Sequence, residues 1–185
     1  MRIIGGEHRS VALASVGKGD TGAHLRPTTD RVRESLFNVL VHLDVIPQAR
    51  VLDVFAGTGA LGLEALSRGA AHVTFVDDGR VAQKLIAQNV AKLREQDRTD
   101  IVRRDAIKLG SNPGAPYDLV FLDPPYGKGL GDKALAVLRA GDWLAPGCVI
   151  VWEESTPQAA PPGLVVTDHR RYGDTHVTIL SAAAP

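Results

Sequence analysis

Between residues 51 and 152 the chain alternates two kinds of apolar pattern, and that alternation admits one broad architecture. Short apolar runs fall at 51–55, 73–76, 101–103, 119–122 and 149–152. Between them apolar residues recur at helical spacing, over 61–66 (closing at Gly69), 81–93 and 134–138. An unbroken run predicts a strand buried on both faces, and the spaced segments predict the helices that bury it. Strands separated by helices join in parallel, so the pattern predicts an α/β fold with a mostly parallel sheet between helical layers. The ends differ. The runs at 164–167 and 176–180 have only Tyr172-Gly173-Asp174 as a turn signal between them, which predicts a hairpin adding an antiparallel edge. Upstream, Val32, Leu36, Val39, Leu40 and Leu43 predict one more helix, with Thr28 or Thr29 as its N-cap and Pro47 as its stop. Residues 1–25 hold short apolar pieces broken by glycines, and Lys18 to Gly22 reads as a turn. The predicted organisation is a small hairpin extension over 1–25 and an α/β domain over 26–185.

The first strand of that domain runs into DVFAGTGALG, Asp53 to Gly62. In an open parallel sheet, ligands bind beyond the carboxyl ends of the strands. Gly57 and Gly59 allow a tight turn and a close backbone approach, and the following helix presents free N–H groups. Gly57, Gly59 and Gly62 also spell GxGxxG, which alone would fit a dinucleotide. Asp53 argues otherwise, because a carboxylate inside the turn repels a pyrophosphate and attracts a cation. The ammonium and sulfonium of S-adenosylmethionine meet that demand, and Asp53, Phe55, Ala56, Gly57 and Gly59 are assigned to it. The second strand ends in Asp77-Asp78, 18 residues beyond Gly59, where a carboxylate accepts both ribose hydroxyls. Asp77 is the first choice and Asp78 the reserve. The third strand ends in Arg104-Asp105-Ala106, where Asp105 suits an adenine amino group and Ala106 flanks its ring.

The most specific signal is VFLDPPYGKG, Val120 to Gly129. Pro124 and Pro125 fix the backbone and remove two N–H donors just after a buried strand. The Pro124 carbonyl and the Asp123 carboxylate are then free to converge as acceptors. An exocyclic amine of a base is a poor nucleophile because its lone pair is delocalised into the ring. Two acceptors on its hydrogens favour a tetrahedral nitrogen that attacks a methyl group in line. Asp123 serves as acceptor alone or also as base. Tyr126 offers a stacking face, and the target base must leave its own stack to be reached.

The order DVFAGTGALGLEAL, FVDD, RRDA, LDPPY resembles the class I, Rossmann-like methyltransferases with a D/N-P-P-Y/F motif. RIIGGEHRS followed by LRPTTDRVRESLFNVL narrows the likeness to bacterial 16S ribosomal RNA guanine 2-amino methyltransferases of the RsmD type. The resemblance runs from Arg2 to about Leu180. It implies a seven-stranded, mostly parallel sheet with an antiparallel last strand, and an N-terminal hairpin that touches RNA. It further implies S-adenosylmethionine as cofactor, with Thr28 and Thr29 near its methionine end, and catalysis at Asp123, Pro124, Pro125 and Tyr126. The implied partner is small-subunit ribosomal RNA, in a ribosomal subunit or assembly particle, in the cytoplasm. The chain departs from the family pattern where EHRSVAL replaces a more basic start and where Asp77 replaces Glu.

Charge is consistent with a local RNA face. The whole chain has zero net charge, but residues 1–33 carry Arg2, Arg9, Lys18, Arg26, Arg31 and Arg33 against Glu7, Asp20 and Asp30. Arg2, His8, Arg9, Arg26, Arg31 and Arg33 are the expected phosphate contacts. Cys148 is the single cysteine and there is no zinc spacing, so neither an internal disulfide nor a metal is expected. No apolar run reaches the roughly 18 residues of a membrane span. Four other functions compete. An adenine or cytosine amino methyltransferase shares the DPPY signal but normally adds a target-recognition region. A glutamine side-chain methyltransferase usually carries Asn at position 123. An NAD-dependent oxidoreductase would rest on GTGALG alone. A non-catalytic RNA-binding module would not need Asp53, Gly57, Gly59 and Asp123 together.

Overall fold

A computed structural model describes residues 1–16 and 28–182. Seven strands, β1 (Arg50–Val54), β2 (His72–Val76), β3 (Thr99–Val102), β4 (Tyr117–Leu122), β5 (Leu144–Glu154), β6 (Leu164–Tyr172) and β7 (Thr175–Ala182), form one sheet in the order β3-β2-β1-β4-β5-β7-β6. The first five run parallel, and β7 is antiparallel to both β5 and β6. The hairpin therefore joins through its second strand. The outer edge is β6, and the antiparallel strand lies one place inside it.

Four helices cover the sheet: α1 (Asp30–His42), α2 (Ala60–Ser67), α3 (Arg80–Leu93) and α4 (Leu130–Ala140). The apolar runs divide their side chains between two cores. Val51, Val73, Phe75, Leu119, Phe121 and Val151 pack with α1, α2 and α3. Leu52, Val54, Val76, Val120, Leu122 and Trp152 pack with α4. Burial on both faces is why these strands read as continuous runs. Thr29, not Thr28, caps α1, its hydroxyl accepting from the Val32 N–H at 3.3 Å. The helix ends at His42, before the expected stop at Pro47, because Asp44 turns left-handed with φ 54°.

The start of the chain does fold back on itself, with Arg2 bridged to Ala12 in antiparallel fashion. It is seated in the main body rather than hung from it, since Ile3 and Leu13 are buried in the core with α1 and α2. The Glu64 carboxylate on α2 accepts from the backbone N–H groups of Ile4 and Gly5, both at 2.9 Å. Gly6, at φ 78°, lies so close to Ser67 that a Cβ would fall 1.8 Å from its carbonyl oxygen. Arg33 corrects the sequence reading. Expected at the surface to contact phosphate, it is fully buried. It stands one turn before Leu36, Phe37 and Leu40 on the inward stripe of α1. From there it donates to the Arg2 carbonyl and to Asp30, and its Nε lies 3.6 Å from Glu64. Arg26 and the Lys18 to Gly22 turn lie outside the described residues.

Candidate active site

The turn after β1 is built by backbone conformation. Phe55, Gly57 and Gly59 all have positive φ, at 59°, 60° and 78°, and Gly59 caps α2. The Asp53 carboxylate accepts from the Gly62 N–H at 2.9 Å and so ties β1 to the first turn of α2. A Cβ on Gly62 would meet the Phe75 ring at 2.5 Å and Val73 at 2.7 Å, so only glycine allows the helix this close to the sheet. Asp77, at the end of β2, holds the turn from the other side. Its carboxylate accepts from the N–H groups of Gly57 at 3.0 Å and Gly79 at 2.8 Å. Asp78 is exposed beside it. Asp105 follows β3 and accepts from the Ile107 N–H at 3.1 Å, capping a short 3-10 turn that contains Ala106.

These elements enclose a cleft of about 230 Å³ lined by Phe55, Val76, Asp77, Asp78, Arg104, Asp105, Ala106, Ile107, Pro125 and Leu130. Six of these were singled out from the sequence: Phe55, Asp77, Asp78, Asp105, Ala106 and Pro125. Ile107 and Leu130 were not, because isolated apolar residues in loops or at a helix start carry no periodic signal. The cleft offers apolar walls for a flat ring and carboxylates for hydroxyl or amino groups.

A second group of acids lies on the α1 side of the sheet, at the carboxyl ends of three adjacent strands. Asp53 is on β1, Asp123 follows β4 and Glu153 is on β5. Leu122 pairs with Trp152, so the next residues, Asp123 just after β4 and Glu153 within β5, stand side by side. Asp53 is 1% exposed and Glu153 3% exposed, while Asp123 is half-buried. Burial pushes the Asp53 carboxyl up to about 8 against the pull of the Gly62 N–H, and the charges of Asp77 and Glu153 add to the push. Burial lifts Asp123 well above the usual carboxylate range, helped by Glu153, Asp53 and Glu154. Burial also takes Glu153 up to about 7, against a hydrogen bond from the Thr28 hydroxyl at 3.4 to 3.5 Å. Among the described residues no lysine, arginine or histidine pairs with any of the three. Glu153 was missed in the sequence, although β5 ends in a pair of acids just as β2 is followed by one. This cluster can hold a cation and the cleft can hold a nucleoside, so the residues fit S-adenosylmethionine.

Asp123, Pro124, Pro125 and Tyr126 join the two groups, since Asp123 is one of the acids and Pro125 lines the cleft. The Asp123 N–H donates to the Val54 carbonyl at 3.3 Å, and Pro124 is buried. The half-buried Tyr126 ring is anchored at its hydroxyl, 3.1 Å from the Thr175 hydroxyl at the start of β7. Glu154 accepts from the Gly127 N–H at 3.0 Å and holds the following turn. Of the expected RNA contacts, Arg2, Arg9 and Arg31 are exposed. His8 is committed to Glu95 at 2.5 Å. Arg31 lines a groove of about 530 Å³ with Val32, Ser35, Tyr172 and Gly173. The β6–β7 turn lies at the same carboxyl edge of the sheet as Asp123, since His176 pairs with Glu154.

The family described as Conserved hypothetical protein 95 matches residues 1–181. The chain is 40% identical to Ribosomal RNA small subunit methyltransferase D of Escherichia coli, over 87% of this chain and 78% of that protein. It is 38% identical to the protein of the same name from Haemophilus influenzae, over 70% of this chain and 67% of the other. The solved Escherichia coli protein yhhF, described as a methyltransferase, superimposes with a TM-score of 0.86 at 36% identity, covering 100% of this chain and 99% of that one. The sheet order, the glycine turn and LDPPY agree with these likenesses, and the methyl donor of such enzymes is S-adenosylmethionine. The chain belongs to the Conserved hypothetical protein 95 family and is a Rossmann-like class I methyltransferase of the RsmD type.

Proposed function

We propose that this protein methylates the 2-amino group of a guanine in small-subunit ribosomal RNA, on a base turned out of its stack. The observation that carries this reading is that Asp123-Pro124-Pro125-Tyr126 links the acid cluster, at Asp123, to the nucleoside-sized cleft, at Pro125. When bound, S-adenosylmethionine supplies an electrophilic methyl group on a sulfonium. Asp77, with Asp78 beside it, would hold the ribose hydroxyls, while Asp105 and Ala106 would hold the adenine edge. Phe55 and Ala56, with Gly57 and Gly59, would form the floor of the cofactor site. Asp53 would hold the cofactor's cationic end, together with the segment of Thr28 and Thr29. The Asp123 carboxylate and the Pro124 carbonyl would accept from the target amine and keep its lone pair available. Pro125 stiffens that acceptor, and Tyr126 stacks on the base.

An exocyclic amine is as far as the geometry reaches, since guanine, adenine and cytosine all present one. The names of the relatives favour small-subunit ribosomal RNA, and the RPTTDRVRESLFN resemblance favours guanine. In this reading residues 1–25 form the RNA-contacting extension of a methyltransferase domain over 26–185. Arg2, Arg9 and Arg31 meet phosphates, joined by Arg26 and, where its ring edge is open, His8. The flanking strand of RNA would cross the groove beside Arg31 and Tyr172. A protein of zero net charge has little non-specific grip on nucleic acid, which favours a shaped target such as a hairpin in a ribosomal particle. No described helix is long and apolar enough to cross a membrane, and a ribosomal substrate would put the reaction in the cytoplasm. The test is tritiated methyl transfer to purified small-subunit particles followed by nucleoside analysis. Label in N2-methylguanosine is expected. Label in methyladenosine or methylcytidine would overturn the guanine assignment.

A further inference from the structure

Glu153 is the one member of the acid cluster with no part in the reaction outlined above. It is large, buried and placed beside the residue that faces the target amine. We propose that Asp123 and Glu153 act as one carboxyl pair. The pair holds a proton in the free protein, releases it when the cationic cofactor enters, and takes up the proton that the target amine sheds after methylation. This inference rests on the methyl transfer proposed above.

The geometry supplies the argument. The two carboxyls project from neighbouring parallel strands at the same level and on the same face. Among the described residues, the charged groups that act on the pair are all acidic: Asp53 on β1, with Asp77 beyond it, and Glu154 on β5. On β7 the residue opposite Glu153 is Val177, which brings no charge. Before α1, Thr28 offers one hydroxyl at 3.4 to 3.5 Å and no cation. Two adjacent carboxylates with no counter-ion among the described residues resist ionising together, and they titrate as a pair. The upward shifts of both groups agree with that. A cation placed over the cluster removes the repulsion and lets the second proton leave. Asp123 is then ionised and able to accept from the amine.

The charges balance through the cycle. Methylation moves the positive charge from the donor to the amine nitrogen, which carries one proton too many. An N–H bond breaks, its electron pair stays on nitrogen, and the proton moves to a carboxylate oxygen of Asp123, shared with Glu153. The thioether product is neutral at sulfur, so the pair keeps this proton and returns to its starting state.

The test counts protons. S-adenosylmethionine is titrated calorimetrically into the full protein at pH 7, in buffers of different ionisation enthalpy. Net proton release, from the pair and from Asp53, is expected for the wild type by linkage, and less for S-adenosylhomocysteine, which lacks the sulfonium charge. Glu153→Gln keeps the size and an acceptor for Thr28. It should release clearly fewer protons than the wild type, those of Asp53 and Asp123 alone, while binding S-adenosylhomocysteine within a few-fold of the wild type. Its single-turnover methylation rate should reach its plateau at lower pH, because Asp123 has lost a like-charged neighbour. Glu153→Asp should restore both behaviours in part. Equal proton release by the wild type and Glu153→Gln, or coincident pH profiles, would overturn the pair. Absence of any S-adenosylmethionine binding would overturn the cofactor reading and the pair together. Proton release without methylation of nucleic acid would remove the amine step alone, leaving the coupling to the cofactor standing.

Discussion

At Asp123 the roles of charge and position separate cleanly. This residue belongs to the acid cluster, while the cofactor cleft itself is lined by other residues. Asp123→Ala should therefore abolish turnover and leave S-adenosylhomocysteine affinity within a few-fold, measured by single-turnover methylation and calorimetry. Gly62 makes the opposite case, a residue that matters through packing alone. Alanine there would push a methyl group into Phe75 and Val73, at 2.5 and 2.7 Å. Overpacking of this kind costs about 1–3 kcal/mol, so Gly62→Ala should lower the unfolding free energy by that amount in chemical denaturation. Both positions were legible in the sequence because glycine and the Asp-Pro-Pro-Tyr run constrain the backbone in ways few other residues do. Glu153 was not. A Glu at the end of a strand reads as solvated surface unless the strand beside it is known, and that neighbour, β4, is about 30 residues away in the chain.

Among the elements, the parallel core and its helices were legible because both pattern and turn chemistry agreed. The placement of the N-terminal hairpin was not. Its apolar residues Ile3 and Leu13 are too few to announce a core, and its anchors are Glu64 and Ser67 on a distant helix. Arg33 was misread for the same reason, since charge outweighs position when an arginine is judged from sequence. Arg33→Ala would leave the buried Glu64 with Arg68 as its remaining cation and strip the Arg2 carbonyl of a donor. Breaking a buried pair costs about 3–5 kcal/mol, a loss expected in denaturant melts whether or not RNA is present. Arg31 stands two residues away on the outer side of α1 and should behave otherwise. Arg31→Ala should weaken RNA binding, lower its salt slope by about 1 for one phosphate left unneutralised, and leave stability and cofactor affinity unchanged. Unchanged salt dependence would remove Arg31 from the RNA interface.

For the whole molecule, the buried acids make stability and cofactor binding depend on pH in opposite directions. Asp53 and Glu153 have folded values raised to about 8 and about 7, above ordinary values of 3.8 and 4.5, and Asp77 and Asp123 are raised as well. Each such carboxyl stays protonated in the folded chain while it ionises in the unfolded one. Its contribution is present in full below the unfolded value and is lost as pH rises toward the folded value, at up to about 1.4 kcal/mol per pH unit. Glu95 runs the other way. Burial opposes its ionisation, but hydrogen bonds from Arg98 and His8 outweigh burial and lower its value, so its stabilisation is complete above the ordinary carboxylate range. Between pH 5 and 8 the raised acids therefore dominate, and the cofactor-free protein should lose stability steadily. A cation bound over Asp53, Asp123 and Glu153 favours their ionised forms. The stabilisation conferred by S-adenosylmethionine should accordingly grow across the same range, and that conferred by S-adenosylhomocysteine should grow less. Asp53→Asn keeps an acceptor for the Gly62 N–H and removes one of these charges. It should flatten the pH dependence and leave the free protein more stable than the wild type at pH 8. It should also weaken S-adenosylmethionine binding about tenfold or more, the usual effect of removing one partner of a charged hydrogen bond. Chemical denaturation at pH 5, 6, 7 and 8, with and without each ligand, reads all three effects. A cofactor-free protein whose stability rises with pH over that range would show that the acid cluster is neutralised within the fold and does not wait for a cation.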